Sequence, residues 1–171
     1  MTQRPLLVVS ACFGPARCRY DGELLSSTPT DDILALAKVC FVCPEMAIGL
    51  GVPRHPIRLV ADGTRIRMVQ TVTHADLTEA MEHFCETFLS TLDPAQVNAF
   101  ILKSRSPSCA LTDAKIYAPD RETPIGTGPG LFGAAVLRRF PHTLVIDEQA
   151  FADPGTRHHI ALRLSGQQKE I

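Results

Sequence analysis

The 171-residue sequence has no Trp and only two Tyr, and neither sign of charge is in surplus: 17 Lys and Arg face 18 Asp and Glu, for a formal net charge of -1. Without a basic excess, the chain does not read as a dedicated nucleic-acid binder. At 20 % charged and 45 % apolar residues it has too much core-forming material for a disordered chain. No apolar run approaches the ~20 residues that a membrane span needs. There is no internal repeat, linker or low-complexity block. The length fits one domain, residues 1–171, and is awkward for two. The six His show no ligand spacing, and the adjacent His158 and His159 face different ways on a helix.

What is present in quantity is sulfur: six Cys. A chain this long builds a core without disulfide staples. Leu6-Leu7-Val8-Val9-Ser10-Ala11-Cys12 imitates a lipidation signal, but six residues before the Cys fall short of the ~7–15 of a secretory apolar region. It reads instead as a first β-strand. The expectation is then a cytoplasmic protein with reduced thiols, in which several Cys point to a metal or cluster.

Leu6–Ser10 and Val97–Leu102 are continuous apolar runs of the kind buried on both faces of a parallel sheet. Asp31 and Asp32 open a helix through about Lys38, and Val39–Val42 is a second strand. Arg58–Val60 and Ile66–Val69 flank Asp62-Gly63 as a hairpin. Leu77, Met81, Phe84, Cys85, Phe88 and Leu92 mark one face of a long helix. Leu131–Arg139 is another helix, Leu144–Ile146 a last strand, and Asp153-Pro154 starts a C-terminal helix. Gly166 onward reads as a frayed tail. The predicted fold class is α/β: a mostly parallel sheet flanked by helices, with a small added hairpin.

Cys12, Cys43 and Cys109 each follow a predicted strand. In a parallel sheet these strand ends share one edge, where ligand sites form, so three thiols distant in sequence converge. Soft thiolates suit an iron–sulfur cluster or zinc. A closed structural zinc site normally has paired C-x-x-C knuckles, and only Cys40-Phe41-Val42-Cys43 has that spacing. Cys40 lies inside its strand, not at a helix start, which weighs against a redox pair with Cys43. Cys85 lies on the apolar helix face as core. Cys18, in the first loop, is either a fourth ligand or, as favoured here, a neighbour of the site. Three readings remain at this point: a cluster enzyme, a structural or sensory metal protein, and a thiol redox protein.

Val9-Ser10-Ala11-Cys12, Cys18-Arg19-Tyr20-Asp21-Gly22, Cys43-Pro44-Glu45, Gly49-Leu50-Gly51-Val52-Pro53-Arg54, Ser106-Pro107-Ser108-Cys109 and Gly126-Thr127-Gly128-Pro129-Gly130-Leu131-Phe132 occur in one order. In these motifs the chain resembles the TudS-type thiouracil desulfidases. The resemblance implies a [4Fe–4S] cluster on Cys12, Cys43 and Cys109 with one open iron. It also implies non-redox removal of sulfur from a small thiolated nucleobase, nucleoside or nucleotide. Intact tRNA is not expected, because the chain has no basic stripe. Two departures stand out. Ala110 replaces the usual Gly after the last ligand, and Phe13-Gly14-Pro15 replaces Leu-Leu-Gly.

Within this reading Glu45, two residues past Cys43, is the candidate proton-transfer group. Ser106 is a candidate hydrogen-bond partner for base or water. Arg19, Tyr20, Asp21 and Ser108 are candidate substrate contacts. Gly128 and Gly130 are candidates to offer backbone N–H groups to a phosphate at a helix start. No predicted strand precedes this glycine run, which argues against a nicotinamide site.

Overall fold

The computed structural model describes residues 4–14, 19, 21 and 31–166. Along them the chain runs β1 (Leu6–Ser10), a 3-10 turn (Ala11–Phe13), α1 (Asp31–Ala35), β2 (Lys38–Val42), α2 (Pro44–Ala47), β3 (Ile57–Asp62) and β4 (Arg65–Gln70). It continues through α3 (Thr78–Ser90), β5 (Val97–Leu102), β6 (Ala114–Tyr117), β7 (Pro124–Gly128), α4 (Leu131–Arg139), β8 (Leu144–Asp147), α5 (Glu148–Phe151) and α6 (Pro154–Leu164).

An all-parallel sheet has the order β2-β1-β5-β8. Side chains alternate across its faces. Leu7 and Val9 of β1 and Ile101 of β5 join Ile33 of α1, Phe151 of α5 and Ile160 of α6 in one core cluster. Val8, Phe100 and Leu102 join Met81 of α3 and Phe132 of α4 in the other. Covering both faces explains the continuous apolar runs of β1 and β5. Each aliphatic side chain buried this way contributes about 1.5–3 kcal/mol. The rings of Phe84 and Phe88 meet that of Phe132 at centroid distances of 6.1 and 6.0 Å, and so fasten α3 to α4.

The chain goes from β1 to β2 on one side and returns to β5 on the other. Strand order therefore reverses at β1, and the crevice over the C-terminal ends there is where open α/β sheets hold ligands.

The hairpin β3–β4 forms around Asp62-Gly63 as the sequence predicts, but it is half of a second four-stranded sheet, β4-β3-β6-β7. β6 runs parallel to β3, and β7 antiparallel to β6. β6 (Ala-Lys-Ile-Tyr) is only four residues long and β7 (Pro-Ile-Gly-Thr-Gly) is almost wholly exposed, so neither leaves a pattern long enough to read as a strand. The expectation that no strand precedes the glycine run is thereby corrected: β7 leads into it. β7 nevertheless lies in the second sheet against an antiparallel neighbour. The βαβ context of a dinucleotide site is not formed there.

The start of α4 docks on the loop after β5. The N–H groups of Gly130, Leu131 and Gly133 donate to the carbonyls of Ala110, Pro107 and Ser108 at 2.9, 3.1 and 3.0 Å. A Cβ on Gly133 would stand 2.1 Å from the Ala110 carbonyl oxygen. Helix propensity favours Ala over Gly by about 1 kcal/mol, but this clash is with backbone and dominates. Gly133→Ala is expected to destabilise by about 1–3 kcal/mol. Gly126→Ala, whose new Cβ has no atom within 4 Å, should stay within about 0.5 kcal/mol of wild type. Urea midpoints of the two variants check both figures.

Candidate functional site

Cys12 lies in the turn that follows β1, Cys43 lies between β2 and α2, and Cys109 closes the loop after β5. All three line one cavity of about 460 Å³, within the range of roughly 300–1,000 Å³ usual for ligand sites. No disulfide links the described cysteines. Burial pushes the Cys109 thiol up to about 12; a hydrogen bond with Ser10 opposes this, the charges of Glu45 and Cys43 add to it, and a hydrogen bond with Ser106 opposes it. Such a thiol is no nucleophile at neutral pH. A metal centre, which deprotonates its coordinating thiols outright, is chemistry that suits it.

Among the described residues no group of three or more His, Cys, Asp or Glu side chains is placed to hold a single metal ion. A cluster makes a different demand, because each thiolate binds a different iron and the donors are spread around a cage. Three soft donors around one cavity fit that arrangement. Cys40 is not on the cavity wall. It lies mid-strand opposite Val8 and packs against the larger core cluster, where burial raises its thiol against the opposing charge of Lys38. Cys40 and Cys43 therefore do not form a helix-start redox pair. Cys85 is core, and burial pushes its thiol up to about 12.

Glu45 sits in the first turn of α2 and lines the same cavity. Arg54 Nε and Nη2 donate to its Oε2 at 2.8 and 2.6 Å, and Ser108 Oγ donates to its Oε1 at 2.8 Å. The side chains of Arg54 and Glu45 are only 4 % and 13 % exposed. Gly49 and Gly51, at φ +85° and +70°, turn the chain back after α2 so that Arg54 returns over Glu45. The motif Gly49–Arg54 drew notice in the sequence without a role for Arg54. The signal was there: two glycines that allow a sharp return, followed by the one side chain with a two-donor fork for a carboxylate.

Ser106 lines the cavity as well, but its Oγ accepts the N–H of Ser108 at 3.2 Å and of Cys109 at 3.0 Å. Its acceptor capacity goes into shaping the cysteine loop. Ser108 is buried behind Glu45, and neither it nor Gly128 or Gly130 is among the cavity-lining residues. The N–H groups at the start of α4 are those spent on the loop carbonyls. Arg19 lines the cavity and pairs with Asp21 at 3.0 Å. Tyr20 and Cys18 lie outside the described residues. Ala110 and Phe13 are both buried in the core, one in each cluster, and neither lines the cavity. At Phe13 and Ala110 the departures from the resembled pattern therefore act on packing beneath the site.

A second polar group was not foreseen. Lys103, on the cavity wall, pairs with Glu148 at the start of α5, and Ser104 N and Oγ donate to the same carboxylate at 2.8 and 2.6 Å. The two partners lie 45 residues apart, too far for a local pattern. Among the described residues no helix is long and apolar enough to cross a membrane.

Comparison with known proteins places these residues in context. The model of a family described as 2-thiouracil desulfurase matches residues 7–148. A Bacillus subtilis (strain 168) protein known as the uncharacterized protein YbbK is 29 % identical over 111 residues, 61 % of this chain and 72 % of its own. The solved structure of a [4Fe-4S]-dependent thiouracil desulfidase, TudS, has a TM-score of 0.68 at 28 % identity and covers 93 % of this chain and 99 % of that one.

Burial alone would raise the Glu148 carboxyl, but hydrogen bonds from Lys103 and Ser104 more than offset it and leave the group below its ordinary 4.5. A depressed carboxyl stabilises the fold above its unfolded-state value and loses that contribution as pH falls through the folded-state value. Thermal midpoints of wild type and Glu148→Gln should differ most above about pH 5 and converge as the pH falls below about 4.

Proposed function

Because the chain belongs to the 2-thiouracil desulfurase family, we propose that it takes sulfur from a small thiolated pyrimidine. The substrate class comprises 2- or 4-thiouracil, the thiouridine, and its monophosphate. Water enters, its oxygen becomes the carbonyl, and sulfur leaves as hydrosulfide with no net electron transfer. The observation that carries this reading is the convergence of Cys12, Cys43 and Cys109 on one cavity beside a buried carboxylate.

The three thiols would hold a [4Fe–4S] cluster and leave one iron without a protein thiolate. When bound, that iron supplies a soft Lewis acid for a thiocarbonyl sulfur. The remaining work falls to the chain. Glu45 Oε2 is occupied by Arg54, whereas among the described residues Oε1 has the single donor Ser108 and a lone pair to spare. Oε1 is the atom that takes a proton from the attacking water and returns it to the departing sulfur. Ser106 holds the loop that presents Cys109. Arg19 on the cavity wall is the contact for the base or a ribose phosphate. A reducing, cytoplasmic setting keeps the thiols available.

The test begins with anaerobic reconstitution. About four irons and four sulfides per chain are expected, with hydrosulfide released from thiouracil and water-derived oxygen-18 in the product. Stoichiometric zinc without iron overturns the cluster, and a full cluster without turnover leaves a structural or sensory role. Cys12→Ala, Cys43→Ala and Cys109→Ala should each lose iron, whereas Cys18→Ala and Cys85→Ala should keep it.

Glu45→Gln should retain full iron and bind substrate, with turnover reduced ~10²–10⁴-fold, the usual contribution of a positioned acid–base group. Wild-type turnover in that variant would move the proton transfer to another group.

A further inference from the structure

We infer that Arg54 is a positioning residue for this reaction, acting through Glu45 to select which carboxylate oxygen works; the inference rests on the functional reading above. A carboxylate oxygen has two lone pairs, and Arg54 fills both on Oε2 through Nε at 2.8 Å and Nη2 at 2.6 Å. Among the described residues Oε1 is left with Ser108 on one side and one free acceptor site. The guanidinium is itself tied down: Nη1 donates to the Gly51 carbonyl at 2.9 Å and touches the Met46 sulfur at 3.9 Å. Arg54 and Glu45 both lie on the cavity wall.

Stability does not account for this arrangement. Desolvating two charges costs about as much as their attraction returns, so a buried ion pair stabilises no better than apolar side chains of the same volume. What the pair supplies that apolar packing does not is a fixed orientation. A carboxylate free to rotate would present either oxygen, and a misplacement of about 1 Å can cost ~10²-fold in rate. A Lys in place of Arg54 keeps the charge but lacks the planar fork that reaches one oxygen with two nitrogens while a third holds Gly51.

The experiment is a double-mutant cycle on reconstituted protein: wild type, Arg54→Met, Glu45→Gln and the double variant, each assayed for iron content, kcat, KM and thermal midpoint. Arg54→Met is expected to keep its iron, change KM little and lower kcat ~10²-fold. In the Glu45→Gln background the same substitution should change kcat by less than about threefold, because the two residues act as one unit. A purely structural Arg54 would lower kcat by the same factor in both backgrounds, which overturns the proposal. The thermal midpoint needs no turnover: Arg54→Met should lower it more in the wild-type than in the Glu45→Gln background, and equal drops overturn the pairing.

If Arg54→Met does not fold, Arg54→Lys carries the test. Full iron with only partial recovery of kcat is expected, and wild-type kcat overturns the proposal. Wild-type protein with full iron and no hydrosulfide release overturns the functional reading, and this proposal with it.

Discussion

Parallel pairing of β1 between β2 and β5 brings three strand ends to one edge, and the cavity inherits its shape from that pairing. The pairing is stabilised by burial on both faces, not by anything at the site. Leu7 and Val9 face one cluster, Val8 the other, and all three are fully buried. A one-residue slip of β1 against β5 would exchange the two faces. It would also move the Cys12 turn relative to the Cys109 loop. The placement of three thiols is thus a by-product of core packing, which is why it can hold soft donors in register before any ligand binds.

Much of this was readable from residue order. β1, β5 and α4 coincide with the runs Leu6–Ser10, Val97–Leu102 and Leu131–Arg139, because continuous apolar runs and helical periodicity are local signals. The strand–Cys arrangement was legible for the same reason. β6 and β7 were not: β6 (Ala-Lys-Ile-Tyr) is only four residues long, and β7, rich in Gly with Pro and Thr, is almost wholly exposed and has no apolar alternation. The Lys103–Glu148 pair and the spending of the Gly130 and Gly133 amides on loop carbonyls were also hidden. They depend on which loops meet over the sheet, and no window of neighbouring residues contains that. Helix α1 ends at Ala35 where the sequence ran it to about Lys38, because Lys38 is drawn into β2 by its N–H bond to the Pro5 carbonyl at 2.8 Å.

Charges around the cavity are held in pairs: Glu45 with Arg54, Lys103 with Glu148, Arg19 with Asp21. Each carboxylate is matched by a cation within one hydrogen-bond length. Arg105 also lines the wall and adds a cation to these pairs, so the field there is weak and positive. Discrimination at such a wall comes from soft donors and oriented oxygens, not from bulk electrostatic attraction.

The loop from Pro107 to Ala110 is located by main-chain atoms: three carbonyls take three amides of α4, and two glycines allow the approach. Main-chain contacts do not depend on the identity of the side chains they carry. Apart from Ser106, whose Oγ holds the Ser108 and Cys109 amides, side chains over the cavity can therefore drift without dislodging Cys109, while the glycines opposite cannot. The scaffold separates what has to stay constant from what is open to variation, and natural selection can explore new specificities on one surface of this loop at little risk to the other.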